Sequence, residues 1–179
     1  EHFDSTQLVS EVSLHLHDLK THLGQYLSSY GNKIPVHSIE EILKSGKYTT
    51  NIKENFEAAL KLDVNTPEYG RRIKKRQELK RHMLGIFEKN NLDAFVYPHQ
   101  QQLVCKVGAT QNQRNGVLAA ITGFPAITVP GGFSPPDKNA PIGVPVGLEF
   151  LARPFDEGTL IEIAYGYESR HNKRKPPAL

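Results

Sequence analysis

Apolar residues recur at helical spacing through the first half of the chain, then give way to short β-prone runs punctuated by Gly and Pro. Leu8, Val12, Leu16, Leu19, Leu23 and Leu27 repeat as they would along one buried helical face, and Asp4 with Gln7 reads as a capping pair. This predicts one long amphipathic helix ending at Gly31. Ser38 and Glu41 form a capping box ahead of Ile42 and Leu43, with Gly46 as the stop. A third helix is expected from Asn51 towards Leu62, burying Ile52, Phe56 and Leu60. A fourth opens at Thr66, Pro67 and Glu68, with Pro at the first helical position, where its missing donor costs nothing. The apolar stripe of the fourth helix is Tyr69, Ile73, Leu79, Met83, Ile86 and Phe87, and Asn90 and Asn91 close it.

Ala94, Phe95, Val96 and Tyr97 then make a short strand with little alternation, as expected of one buried on both faces, and Pro98 ends it. The polar, Gln-rich stretch from His99 to Gln113 reads as a loop, with room for a short strand around Leu103 and Val104. From Asn115 a run of small apolar residues suits a helix packed close to a sheet, stopped by Gly123 with Pro125 just beyond. Ala126 to Val129 form a strand that Pro130, Gly131 and Gly132 should close. In the next strand Val146, Leu148 and Phe150 share one face while Gly147 and Glu149 share the other. No helix separates these two strands, so an antiparallel pair is expected. Asp156 is placed to cap a last helix whose apolar side holds Leu160, Ile161, Ala164, Tyr165 and Tyr167.

The segments TGFPAITVPGGF and GVPVGLEFLARPFDE, and more loosely LDAFVYP at residues 92 to 98, resemble the C-terminal end of amidase signature enzymes. The resemblance implies an α/β fold in which this chain is the C-terminal part of a mixed β-sheet covered by α-helices. Residues 1 to 91 would be mainly helical, and residues 92 to 179 would complete the sheet. It also implies hydrolysis of linear amides by a serine nucleophile, a second serine in a cis peptide and a lysine base. Those groups belong to a Gly/Ser-rich loop and a lysine motif in the family's N-terminal portion. Here the Gly131–Gly132 pair is followed by Phe133 and Ser134 instead, and no lysine aligns with the catalytic one. No catalytic residue is therefore assigned, and the chain alone is expected to be inactive. It should supply sheet strands and part of the substrate funnel to an N-terminal catalytic portion, with a small-molecule amide as substrate. Its start at Glu1 fits an excised or a processed piece equally. Alternatives are the amidase subunit of a tRNA-dependent amidotransferase and a non-catalytic interaction module.

Composition narrows the classes. With 179 residues, 38% hydrophobic and 23% charged, the chain suits one domain with a real core and neither global disorder nor membrane residence. No apolar run approaches the roughly 20 residues that span a bilayer. There is no basic leader followed by an apolar core, and a single cysteine, Cys105, precludes an internal disulfide; a cytoplasmic setting is expected. The basic run RRIKKRQELKRH at residues 71 to 82 lacks interleaved aromatics, and the net charge is only +3, so a solvated helix face is expected there instead of a nucleic-acid surface.

His15 and His17 lie two apart, whereas helical metal pairs lie three or four apart, so no metal site is assigned, and no organic cofactor is called for. Cys105 reads as an inert packing residue. The polar group following the first strand is a better candidate, because sheet folds place ligands beyond strand ends. His99, Gln100, Gln102, Arg114 and Asn115, with Gln101 among them, are the substrate-binding candidates. Arg114 is suited to clamp a carboxylate or position a loop.

Overall fold

A computed structural model describes residues 4–176. The chain forms two compact units, one of Glu11–Arg76 and one of Glu1–Ser10 with Gln77–Leu179.

The first unit is helical. The expected long N-terminal helix is two helices, α1 (Ser5–Val12), most of whose residues belong to the second unit, and α2 (His15–Ser28). Asp4 Oδ1 caps α1 as predicted, accepting from the Thr6 and Gln7 amides at 2.9 and 3.0 Å. The break falls at Ser13 and Leu14, where local polar bonds compete with the helical ladder: the Ser13 carbonyl accepts from Arg72 at 3.0 Å and its hydroxyl bonds His15 Nδ1 at 2.6 Å. Helix α3 (Ile39–Ser45) has the expected box, with Glu41 N–H donating to Ser38 Oγ while the Glu41 carboxylate accepts from the His37 amide at 2.6 Å. Gly46 ends it in the left-handed conformation. A 3-10 turn, Thr50–Ile52, precedes α4 (Lys53–Leu60), which leaves Ile52 exposed while Phe56 and Ala59 are buried. Ile39, Phe56 and Ala59 make the core of this unit, flanked by Leu19, Leu23, Ile42, Leu43 and Leu60. Helix α5 (Pro67–Lys89) starts at a Thr66 cap and spans the boundary between the units.

The second unit is built on a sheet of order β1-β3-β2, with β1 (Ala94–Pro98), β2 (Ala126–Phe133) and β3 (Pro145–Ala152). Both pairings are antiparallel, so the three strands satisfy one another's backbone around the central β3. Strand β1 is thus an edge strand, with Val96 57% exposed; the continuous burial expected from its apolar sequence does not hold among the described residues. Strand β2 does not stop at Pro130. A register shift between Pro130 and Gly132 absorbs one residue, and pairing resumes through Phe133, because an edge position tolerates a proline and a bulge tolerates a glycine. Leu103 and Val104 lie exposed outside any strand.

Helix α6 (Val117–Thr122) ends at Gly123 in the left-handed conformation, as its sequence required. One face of the sheet packs Leu151 with Met83 and Phe87 of α5, Leu118 and Phe124. The other packs Phe150, Ala152 and Val129 against Leu160 and Ala164 of α7 (Glu157–Arg170). On α7 the buried stripe is narrower than predicted: Ile161 and Tyr165 are 61% and 75% exposed, since only the turn positions shared by Leu160, Ile163, Ala164 and Tyr167 face the sheet. No helix among the described residues is long and apolar enough to cross a membrane.

Candidate functional site

The register of the sheet puts Tyr97 of β1, Glu149 of β3 and Thr128 of β2 in one row across neighbouring strands. Directly paired antiparallel residues project to the same face with their side chains within reach of one another. Glu149 is therefore held between two polar neighbours on a face that is otherwise apolar. It is only 3% exposed. A buried carboxylate is costly unless its oxygens are bonded, and here they are. The Tyr97 hydroxyl donates to Oε1 at 2.7 Å, His99 Nδ1 bonds Oε2, and the Thr128 hydroxyl approaches the same oxygen at 3.5 Å. Burial first, then the bond to Glu149 and the repulsion of its charge, hold the Tyr97 phenol well above its ordinary pKa.

Two glycines make room for this arrangement. A Cβ on Gly116 would stand 2.4 Å from His99 Cε1 and 2.9 Å from its Nδ1, so only a glycine lets the start of α6 lie against the imidazole. A Cβ on Gly147 would stand 2.8 Å from the Thr128 methyl.

Of the sequence-derived candidates, His99 meets this carboxylate directly and Asn115 is tied to the His99 backbone, while Gln100, Gln102 and Arg114 belong to the adjoining loop. The His99 amide donates to the Gly147 carbonyl at 3.0 Å, extending the β1–β3 ladder by one bond. Asn115 ties the loop at both ends: its amide donates to the His99 carbonyl at 3.0 Å, its Nδ2 donates to the Pro98 carbonyl at 2.8 Å, and its Oδ1 accepts from Gln101 at 2.9 Å. Gln100 and Arg114 form an isolated antiparallel bridge, with Gln100 Oε1 buried and lacking a hydrogen-bond partner. Arg114 Nε donates to the Gln111 carbonyl at 3.3 Å, and Gln102 Nε2 to the Asn112 carbonyl at 3.2 Å, so both brace the loop that carries them. A cavity of about 410 Å³ beside this group is lined by Tyr97, Gln101 and Asn115 and by apolar residues including Leu8, Met83 and Phe95. A second, of about 330 Å³, lies between residues 100 to 104 and 145 to 147.

Sequence reasoning missed Glu149 as a site residue. The signal was there: a lone acid within the apolar strand VGLEFLA must find partners, and Tyr97 and His99 stand at the end of the first strand.

The remaining candidates have structural explanations. His17 packs against the Tyr69 ring, with centroids 5.9 Å apart, and the Cys105 thiol donates to the Ala109 carbonyl at 3.2 Å. Within the basic run, Arg71 and Arg72 pair with Glu68, and Lys75 pairs with Glu11. Among the described residues, no cluster of three or more His, Cys, Asp or Glu side chains is placed to hold a metal ion.

No family model matches the chain. Its curated relatives include a glutamyl-tRNA(Gln) amidotransferase subunit of Caldanaerobacter subterraneus subsp. tengcongensis, 31% identical over 120 residues that cover 62% of this chain and 23% of that protein. Among solved structures, that of PAM12A superimposes with a TM-score of 0.70 at 24% identity, covering 96% of this chain and 35% of the other. Another, of an amidase, gives 0.55 at 17% identity, covering 92% and 40%. The fold is thus the α/β fold of amidases, of which this chain has the C-terminal portion. The chain is similar to members of the amidase signature family and spans about a quarter of the length of the curated relatives it matches.

Proposed function

We propose that this chain is the C-terminal portion of a hydrolase acting on linear carbon–nitrogen bonds, one part of a single amidase signature domain. It supplies sheet strands, covering helices and one wall of the substrate funnel to a catalytic portion that carries the serine and lysine groups. The observation that carries this reading is the superposition over 96% of this chain but only 35% of its structural neighbour. Exposed apolar residues on the edge strand and on α7, Val96, Ile161 and Tyr165, support it, since such surface suits a covering partner. In the complete enzyme the serine would attack the amide carbon, and backbone amides would stabilise the oxyanion. His99, Gln100, Gln102, Arg114 and Asn115 would contribute to the funnel, Asn115 and Arg114 by fixing its loop. The single, half-buried cysteine fits a reducing, cytoplasmic compartment.

The test compares amide hydrolysis by the 179-residue chain with that of the full-length protein. Activity in the longer protein alone is expected; robust hydrolysis by the isolated chain would overturn the division of labour. A second reading, in which the chain is part of an amidotransferase releasing ammonia for a tRNA-linked substrate, is favoured by the names of its curated relatives. Glutamine-dependent ammonia release in the presence of a charged tRNA distinguishes it.

A further inference from the structure

We infer that the outer edge of β1, at Ala94 and Val96, takes a further β-strand, and that this strand is a continuous apolar run from the catalytic portion of the longer protein. The inference rests on the reading above and names the surface through which the two portions join. The phase of the ladder shows which way each residue of β1 is turned. The His99 amide donates to the Gly147 carbonyl, so the backbone of His99 faces β3, and that of Tyr97 and Phe95, at alternate positions before it, faces the same way. Ala94 and Val96 therefore direct both N–H and C=O away from the sheet. Neither has a hydrogen-bond partner on that side among the described residues. The Pro98 carbonyl points outward too, but Asn115 Nδ2 donates to it at 2.8 Å, so the open edge ends there.

The two edges of the sheet differ. On β2 the outward position 130 is a proline without a donor, and a register shift follows it; both are devices that keep a strand edge from pairing. β1 has neither, carries no charged side chain from Ala94 to Pro98, and pairs with β3 in unbroken register. A flat, apolar, unprotected edge is a template for another strand. Its surroundings say what kind. The cavity of about 410 Å³ borders it, lined by Phe95 and Tyr97 of β1 with Leu8, Met83, Ile86 and Leu118. On the other face Val96, paired with Phe150, is 57% exposed, because α7 packs against Val129, Phe150 and Ala152 and leaves it bare. Side chains alternate along a strand, so the entering residue opposite Phe95 fills the cavity and the next covers Val96. Both must be apolar. The unalternating sequence of β1 is thereby explained: it suits a strand buried on both faces with a neighbour on either side. The longer protein has chain to spare for this, since the superposition accounts for only 35% of the structural neighbour.

Hydrogen exchange, read by NMR on the 179-residue chain and on the full-length protein, decides this. In the dilute isolated chain the Ala94 and Val96 amides are expected to exchange fast, while those of Phe95 and Tyr97, bonded to β3, exchange slowly. In the full-length protein the Ala94 and Val96 amides should slow by at least about 100-fold. Fast exchange of both there overturns the inference. Protection already present in the isolated chain overturns it as well, and a loss of that protection on further dilution would name a second copy as the occupant. Val96→Lys then tests the edge by charge. It alters one exposed side chain and no β1–β3 bond, so the unfolding midpoint of the isolated chain should hold. In the full-length protein the same change places a cation beneath the entering strand, and Ala94 exchange should quicken at least about tenfold. Unchanged Ala94 protection in that variant means the strand joins elsewhere. If the full-length protein hydrolyses no amide, the hydrolase reading fails separately, and the exchange data still decide the edge.

Discussion

Tyr97 and Glu149 occupy paired positions on β1 and β3, and the phenol donates to the buried carboxylate at 2.7 Å. This bond is available only to the protonated phenol. The folded-state pKa of Tyr97 is raised, mainly by burial and then by the Glu149 bond, above the unfolded value near 10. Sign follows from linkage: below about pH 10 the contribution is fully present, and as pH climbs beyond it the unfolded chain loses a proton that the folded chain keeps, so stability declines. Urea midpoints measured across the alkaline range should fall more steeply for the parent chain than for Tyr97→Phe. Parallel profiles would show that the phenol does not contribute in this way.

Gly116 makes the position of His99 depend on a missing side chain. In Gly116→Ala the new Cβ meets the imidazole well inside contact distance, so the ring must leave Glu149 or α6 must shift. Losing one partner of a buried carboxylate costs about 1–3 kcal/mol, and overpacking costs about the same. A destabilisation on that scale, with a displaced His99 ring resonance, is the expected outcome in chemical denaturation and nitrogen-15 spectra. A stable variant with an unmoved His99 resonance would contradict the packing described.

The core beneath the sheet depends on Phe87, which is fully buried, packs at a tilt against Phe95 with centroids 4.5 Å apart, and carries Arg153 over its ring at 5.0 Å. Phe87→Ala removes the ring from all these contacts and leaves a cavity, at a cost of about 3–5 kcal/mol. Equilibrium unfolding should show this loss as a lower midpoint with little change in slope.

In the helical unit the corresponding weak point is a cap. Ser38 Oγ accepts the Glu41 amide, so Ser38→Ala leaves a first-turn donor unpaired and should cost about 1 kcal/mol. Hydrogen exchange of the Glu41 amide should speed up; if it does not, the cap contributes less than its geometry implies.

How far each feature was legible depended on whether its cause was local. The caps at Asp4, Ser38 and Thr66 and the stop at Gly123 act within three or four residues, and the chain names them directly. The antiparallel β2–β3 pair followed from the lack of a helix between its strands. The break between α1 and α2 was invisible because the apolar repeat runs through Ser13 unbroken; its cause, Arg72, lies 59 residues away. Glu149 was hidden for the same reason. Its alternation within β3 is plain in the sequence, but its partners come from a strand some fifty residues earlier, and only the register brings them together.

The same distinction makes α7 informative. Its apolar pattern includes Ile161 and Tyr165, yet Leu160 and Ala164 are buried and those two are not. Four residues apart on a helix, Ile161 and Tyr165 lie on one face, where each side chain is more than half exposed. Substituting either one within this chain removes no buried contact. Ile161→Lys and Tyr165→Ser should therefore change the unfolding free energy by less than about 0.5 kcal/mol, the usual limit for surface positions. If the proposed N-terminal portion covers that face, the same substitutions will lower amide hydrolysis when the two portions are mixed, because a charge or a lost ring then falls inside an interface. Measuring both quantities separates the two sources of burial. A large loss of stability in the isolated chain would mean that α7 packs through this face after all, and equal hydrolysis by parent and variant mixtures would mean that the covering surface lies elsewhere.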